Sequence, residues 1–241
     1  MRYIKTRAIV LHQIRYGETS LICRVFTRES GLVSLMIKGA RSSKSSLKAS
    51  RFQLMNVLDL VITDKPGGGI QYVREAHLSP AYQFLPYDDW RRSTGIFLTE
   101  VLYRLLQESA VQVELFDFAE QQLFLLDTPQ RPDIDFILFQ LLHLSRLLGL
   151  YPLTEGMHDG YFLWGEGAFF PSENASGASY TESRLLEKLL LADQQGRGTL
   201  FTSEERYELL DILMKYLSWH IESLQHIRSL DILREIYHRA K

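Results

Sequence analysis

Residues 31–51 read GLVSLMIKGARSSKSSLKASR. The segment begins as a strand. Val33, Leu35 and Ile37 alternate with Ser34, Met36 and Lys38, giving one apolar face at period two. At Gly39 it opens into a Ser-rich loop that carries Lys38, Arg41, Lys44, Lys48 and Arg51, and no Asp or Glu occurs from Ser30 to Leu58. Such a loop cannot neutralise its own charge. It needs either a large solvent shell or an anionic partner, and a polynucleotide backbone supplies the latter.

The flanking segments have the same character. In residues 3–15, Ile4, Ala8, Val10 and Ile14 are expected on one strand face and Lys5, Arg7 and Arg15 on the other. Tyr16-Gly17-Glu18-Thr19 reads as a turn and Leu21 to Arg28, with Arg24, as the second strand. Glu29-Ser30-Gly31 is a short hairpin turn with Gly where positive φ is tolerated. Leu54 to Asp64 and Ile70 to His77 are the fourth and fifth strands, joined by Lys65-Pro66-Gly67-Gly68-Gly69. That glycine run lacks the GxxxxGK[ST] spacing and opens no helix, so it reads as a hairpin tip. Five strands with a long third-to-fourth connection predict a small closed antiparallel barrel of the OB-fold kind, although an SH3-like barrel would give a similar string.

Charge is divided unevenly along the chain. Residues 1–80 hold 13 basic and 5 acidic side chains, net +8; residues 81–241 hold 14 and 24, net −10. The overall −2 therefore conceals a dipolar molecule, a pattern that points to an interaction function. Docking of the two oppositely charged parts on each other would absorb some of the cations, but those of the loop lie too close together for all to be met that way.

Near Pro80 the hydrophobic period changes from 2 to 3.6, which sets the expected domains at 1–80 and 81–241. Asp88-Asp89 precede an apolar stripe of Ile96, Phe97, Val101, Leu102 and Leu105. Val113 to Leu126 reads as a second helix. Asp133-Ile134-Asp135 opens a third that is apolar nearly all round and stops at Gly149 and Pro152. Residues 153–180, rich in glycine and aromatic rings, suggest an irregular or two-stranded insert. Helices resume at 181–193, 203–224 and 229–239; Ser203 with Arg206 lacks the Glu of a capping box, but Glu204 and Glu205 suit a helix start. No linker separates the two parts, so they are expected to pack directly.

No catalytic constellation stands out. His143, His158, His220 and His226 are scattered, and the acid pairs fall at helix starts. The single Cys23 excludes an internal disulfide and any multi-cysteine zinc site. Arg2, Lys5 and Arg7 interrupt the start, so no signal peptide is expected, and no apolar run is long enough to span a bilayer. A binding module rather than an enzyme, soluble and cytoplasmic, is the reading these features give.

The run Ala8-Ile9-Val10-Leu11, then Gly17-Glu18, then Phe26-Thr27-Arg28-Glu29-Ser30-Gly31, then Lys38-Gly39-Ala40-Arg41 followed by Ser45 and Leu47, resembles the DNA repair protein RecO family. The likeness is closest over residues 1–80 and continues more weakly to Arg228-Ser229-Leu230. It implies an N-terminal OB-fold followed by a helical bundle in a cytoplasmic, nucleoid-associated protein. It also implies binding of single- and double-stranded DNA, annealing of complementary strands, and help in loading the RecA recombinase onto DNA coated by single-stranded DNA-binding protein (SSB). RecR and the acidic SSB tail are the partners it implies. Many members carry a four-cysteine zinc site after a Leu-Gly-Tyr-x-Pro-like sequence. Here Leu148-Gly149-Leu150-Tyr151-Pro152 is followed by no Cys, so zinc is not expected, and packed rings of residues 156–177 are expected in its place.

The expected DNA-contacting residues are Arg7, Arg15, Arg24, Lys38, Arg41, Lys44, Lys48 and Arg51. Few aromatics fall on the basic strand faces, so charge should outweigh stacking. Five loop contacts to a single strand would give a salt slope of about −3.5, at about −0.7 each. For the SSB tail, Leu142, Arg146 and Leu150, spaced i, i+4, i+8 on the third helix, are the expected docking stripe, unless that face is simply core. Two other classes fit the same charge pattern: a protein adaptor whose basic barrel docks an acidic surface, and an RNA-binding OB protein.

Overall fold

The structure is a computed structural model and describes residues 2–42, 45–64, 69–79, 81–106, 110–196 and 201–239, with side chains described through Tyr237. Strands β1 (Arg2–Tyr16), β2 (Ser20–Thr27), β3 (Gly31–Ile37), β4 (Val57–Asp64) and β5 (Gln71–Leu78) close in the order β1-β2-β3-β5-β4, with β4 returning to β1. Four of the five seams are antiparallel. The fifth, β3 to β5 through Leu35/Gln71 and Met36/Tyr72, is parallel. The all-antiparallel expectation is corrected at that seam, which is also what separates the OB-fold from an SH3-like barrel. Lys65 to Gly68 of the expected hairpin tip lie outside the described residues.

The barrel core is Ala8, Val10, Val25, Leu35, Leu58 and Ile62 with their neighbours. Cys23 is among them; burial pushes its thiol up to about 12, so it stays protonated and inert. The β1–β2 register shifts between Val10 and His12. A bulge of this kind inserts one unpaired residue, here Leu11, and reverses which side chains face inward. Beyond it Gln13 lies opposite buried Cys23 and Arg15 opposite buried Leu21, on the core side, while Ile14 turns outward and is 48% exposed. The expected face assignment of Ile14 and Arg15 is therefore inverted. A strict period of two cannot see one extra residue.

The quoted motif Phe26-Thr27-x-x-x-Gly31 closes the β2–β3 turn. Buried Thr27 donates its hydroxyl to the Gly31 carbonyl (2.8 Å) and accepts from the Ser30 N–H (3.1 Å). Gly31 has φ +66°, and a Cβ there would come within 2.2 Å of the Ala110 carbonyl oxygen, so only glycine fits. Phe26 packs edge-on against Phe116 at 5.3 Å.

The chain falls into two compact units, residues 1–129 and 130–241. Helices α1 (Asp89–Leu105) and α2 (Val113–Leu126) belong with the barrel. Asp88 caps α1 as expected, accepting from the Arg91 N–H. Arg28 forms a two-point pair with Asp117 (2.7 and 2.9 Å), and Arg7 pairs with Glu120. Asp127 accepts three backbone N–H groups, from Gln83, Phe84 and Leu85, and so fixes the exit from the barrel.

The second unit contains α3 (Phe136–Leu147), the hairpin β6 (Tyr161–Leu163) and β7 (Ala168–Phe170), α4 (Tyr180–Gln195), α5 (Ser203–His220) and α6 (Ser229–Arg239). The insert is thus a two-stranded hairpin, held by Phe162 against Trp164, Phe169 and Tyr216 at 5.6, 5.1 and 5.2 Å. Helix α5 is shorter than expected; Glu222–His226 is a 3-10 turn. Asp135 does not cap α3. It is fully buried and paired with Arg206 of α5.

Two capping boxes escape a reading that starts each helix one residue late: Ser179 with Glu182 on α4, and Thr202 with Glu205 on α5. Burial alone would raise both carboxyls, but hydrogen bonds from Ser179 and Lys215 to Glu182, and from Lys188 and Thr202 to Glu205, outweigh it and hold both below the usual range. Their folded values lie below the unfolded value of about 4.3. They therefore add stability that is complete above that pH and is lost as pH falls through the folded values. A Glu182→Gln, Glu205→Gln double variant keeps the cap acceptors without the charge. Its urea midpoint is expected to fall less on acidification from about pH 5 to 3 than that of the parent; parallel curves would refute the assignment.

Candidate nucleic-acid interface

The outer face of β1, β2, β3 and β5 presents three rows set by strand register. In the first, Ile14 pairs with Ile22, Ile22 with Met36, and Met36 with Tyr72, an apolar and aromatic line across four strands. To one side lie Tyr16, paired with Ser20, and the exposed Lys38, whose ammonium sits 4.8 Å over the Tyr72 ring. To the other lie His12, Arg24 and Ser34, with Arg24 donating to Ser34 Oγ at 2.8 Å. Tyr16 and Tyr72 are 55% and 40% exposed, and Tyr3, 41% exposed, carries the Arg74 guanidinium 5.0 Å over its ring. Flat rings and apolar side chains on an open strand face are stacking surfaces for bases, and flanking cations suit phosphates. The expectation that aromatics are sparse on the basic face is corrected here. The bulge turns Ile14 and Tyr16 outward, and Tyr72 belongs to a strand whose register the sequence does not show.

The eight expected contact residues separate. Arg15 and Arg41 make no ion pair or hydrogen bond through their side chains among the described residues, and they share a pocket at the barrel rim with Gln13, Leu21, Ala49 and Gln53. Lys38 is met by a ring, not a carboxylate. Arg24 is half-buried beside Ser34, and Lys48 is exposed next to the 3-10 turn Ala49–Phe52. Arg51 donates to the carbonyls of Ser46 (3.0 Å) and Ala76 (3.1 Å), so it ties the loop to β5. Arg7 is committed elsewhere, to Glu120, to Asp59 at 3.7 Å and to the Ser79 carbonyl at 3.1 Å. Lys44 lies outside the described residues. Internal neutralisation therefore accounts for Arg7 and Arg28, on the side covered by α2, and leaves Arg15 and Arg41 without an ion pair among the described residues.

The expected docking stripe does not form. Leu142 is fully buried in the core of its unit. Helix α3 ends at Leu147, and Gly149, at φ +70°, turns the chain so that Leu150 donates back to the Ser145 carbonyl at 2.7 Å. Leu150 is therefore off the helix. Arg146 lies 4.2 Å over the Tyr151 ring and pairs with Asp193 at 3.1 Å. No Cys is present near the hairpin, and among the described residues no three His, Cys, Asp or Glu side chains converge as metal ligands. No described helix is long and apolar enough to cross a membrane.

A five-stranded OB barrel with an open face of this kind belongs to a class whose outer strands take oligonucleotides or oligosaccharides. Comparison with known proteins narrows the class. The family described as Recombination protein O N terminal matches residues 1–82, and Recombination protein O C terminal matches residues 88–231. "DNA repair protein RecO" of Phocaeicola vulgatus is 33% identical over 237 residues, 97% of this chain and 98% of that one. The proteins of the same description from Flavobacterium psychrophilum and Flavobacterium johnsoniae are 33% and 34% identical, each covering 97% of this chain and 99% of their own. The chain belongs to the RecO family of DNA repair and recombination proteins.

Proposed function

We propose that this chain is a recombination mediator that binds single- and double-stranded DNA, anneals complementary strands, and helps load RecA onto SSB-coated DNA, with RecR and the SSB tail as its protein partners. The observation that carries the DNA-binding step is the face just described: an apolar and aromatic row on β1, β2, β3 and β5 bordered by Arg24, Lys38, Arg15 and Arg41. Bases stack on the row and phosphates meet the cations, so binding is nearly blind to sequence. Annealing follows from the same charges, because cations that screen two strands lower the repulsion between them. No bond is made or broken in this role. The open stacking row favours a nucleic acid over an acidic protein surface as the ligand. Because Leu142 is buried, this reading does not place the SSB tail on the Leu142/Arg146/Leu150 stripe. In this reading ring packing holds the hairpin, and stoichiometric zinc in the purified protein would overturn that part.

Filter binding of labelled single-stranded DNA, duplex DNA and RNA at two salt concentrations tests the proposal. Both DNA forms are expected to bind, with affinity falling steeply as salt rises. Retention of RNA alone would favour the RNA-binding alternative. A slope near zero, or no retention of any nucleic acid, would leave the adaptor.

A further inference from the structure

The rim pocket has features that a general phosphate track does not need. Its volume is about 380 Å³. One wall is the end of β1, where the bulge at Leu11 has turned Gln13 and Arg15 toward the barrel mouth above Leu21. The other is the third-to-fourth connection, with Arg41, Ala49 and Gln53. That connection is fastened at several points. The Arg41 N–H donates to the Thr19 carbonyl and the Ala49 N–H to the Ala40 carbonyl, both at 2.9 Å. Arg51 reaches the Ala76 carbonyl, and the Asn56 amide reaches the Arg51 carbonyl at 3.0 Å. The pocket is thus built into the fold. Leu21 and Ala49 give it an apolar floor. The side-chain amides of Gln13 and Gln53 have no hydrogen-bond partner among the described residues, and each can both donate and accept.

Barrel mouths are recurrent ligand sites, and bulges gather at barrel rims where they re-aim side chains. Two cations and two exposed, unengaged amides around an apolar floor match the parts of one nucleotide: phosphate, base edge and base face. We infer that this pocket holds a single unpaired nucleotide of a bound strand, its base in the barrel mouth between Gln13 and Gln53 and its adjoining phosphates on Arg15 and Arg41. Amides that serve either as donor or acceptor meet any base edge, so the pocket does not select sequence. It selects strandedness. A base in a duplex must first be unpaired and unstacked to enter, which costs a few kcal/mol. The inference rests on the DNA-binding role proposed above and adds a preference for single strands.

The test uses the full chain and an oligonucleotide carrying 2-aminopurine at one interior position, together with a Gln13→Ala, Gln53→Ala variant that leaves every charge in place. Binding to the parent chain is expected to raise 2-aminopurine emission as the base leaves its stacked neighbours. The variant is expected to bind the single strand about tenfold more weakly, the effect of two lost hydrogen bonds, with duplex affinity and salt slope unchanged. Unchanged single-strand affinity, or an equal loss on duplex, overturns the pocket while leaving DNA binding intact. Flat emission on saturation of the parent chain overturns it independently of any variant. A parent chain that binds no DNA overturns the mediator role, and the pocket with it.

Discussion

Replacing Arg15 and Arg41 together by alanine is expected to weaken single-strand binding about 25-fold at about 0.1 M salt and to flatten the salt slope by about 1.4, two contacts at about 0.7 each. Both guanidinium groups stand at the rim without a carboxylate partner among the described residues, so a phosphate is their first counterion and its condensed cations are released on binding. The control follows from the same reasoning. Arg7 and Arg28 already share their charge with Glu120, Asp59 and Asp117, so an Arg7→Ala, Arg28→Ala variant should leave the slope unchanged. If the control pair flattened the slope and the rim pair did not, the interface would lie on the α2 side of the barrel and the rim assignment would be wrong.

The largest effect on stability is expected at Asp135 and Arg206. The pair is sealed inside the second unit: the Asp135 side chain is fully buried and that of Arg206 nearly so, and the wholly buried Tyr237 hydroxyl close to them has no hydrogen-bond partner among the described residues. Burial and the nearby Asp135 carboxylate raise the Tyr237 pKa, so the phenol stays protonated. Removing one member strands the other in a medium that cannot solvate it, which costs about 3–5 kcal/mol. Asp135→Ala or Arg206→Leu should each lower the urea midpoint accordingly. Replacing both with apolar residues of similar volume should recover most of the loss, because no lone charge remains. Singles and double that lose equal stability would mean that packing, not charge, is what the pair contributes.

The strand and helix inventory was legible in the sequence because it rests on period and punctuation. Val33, Leu35 and Ile37 announce β3, Asp88 announces α1, and Gly31 announces its turn. What the sequence hid is pairwise. That Arg7 meets Glu120 and that Asp135 meets Arg206 depends on residues 113 and 71 positions away, and no local pattern records such partners. The exposed row was hidden for a related reason. Ile22, Met36 and Tyr72 become neighbours only through strand pairing, including the parallel seam. The tail-docking stripe failed because Gly149 ends α3 one turn too early, a stop that was visible in the sequence but was outweighed by the spacing of the leucines.

The extra residue at Leu11 makes strand register a control on the barrel mouth that is independent of side-chain chemistry. Point substitutions at Gln13 or Arg15 change what the opening offers but not which positions offer it. Removing Leu11 would leave Gln13 opposite Cys23, Ile14 opposite Ile22 and Arg15 opposite Leu21, whereas drawing Leu11 into the ladder would swing Ile14 to the core side and move Gln13 and Arg15 outward, with no change in amino-acid composition.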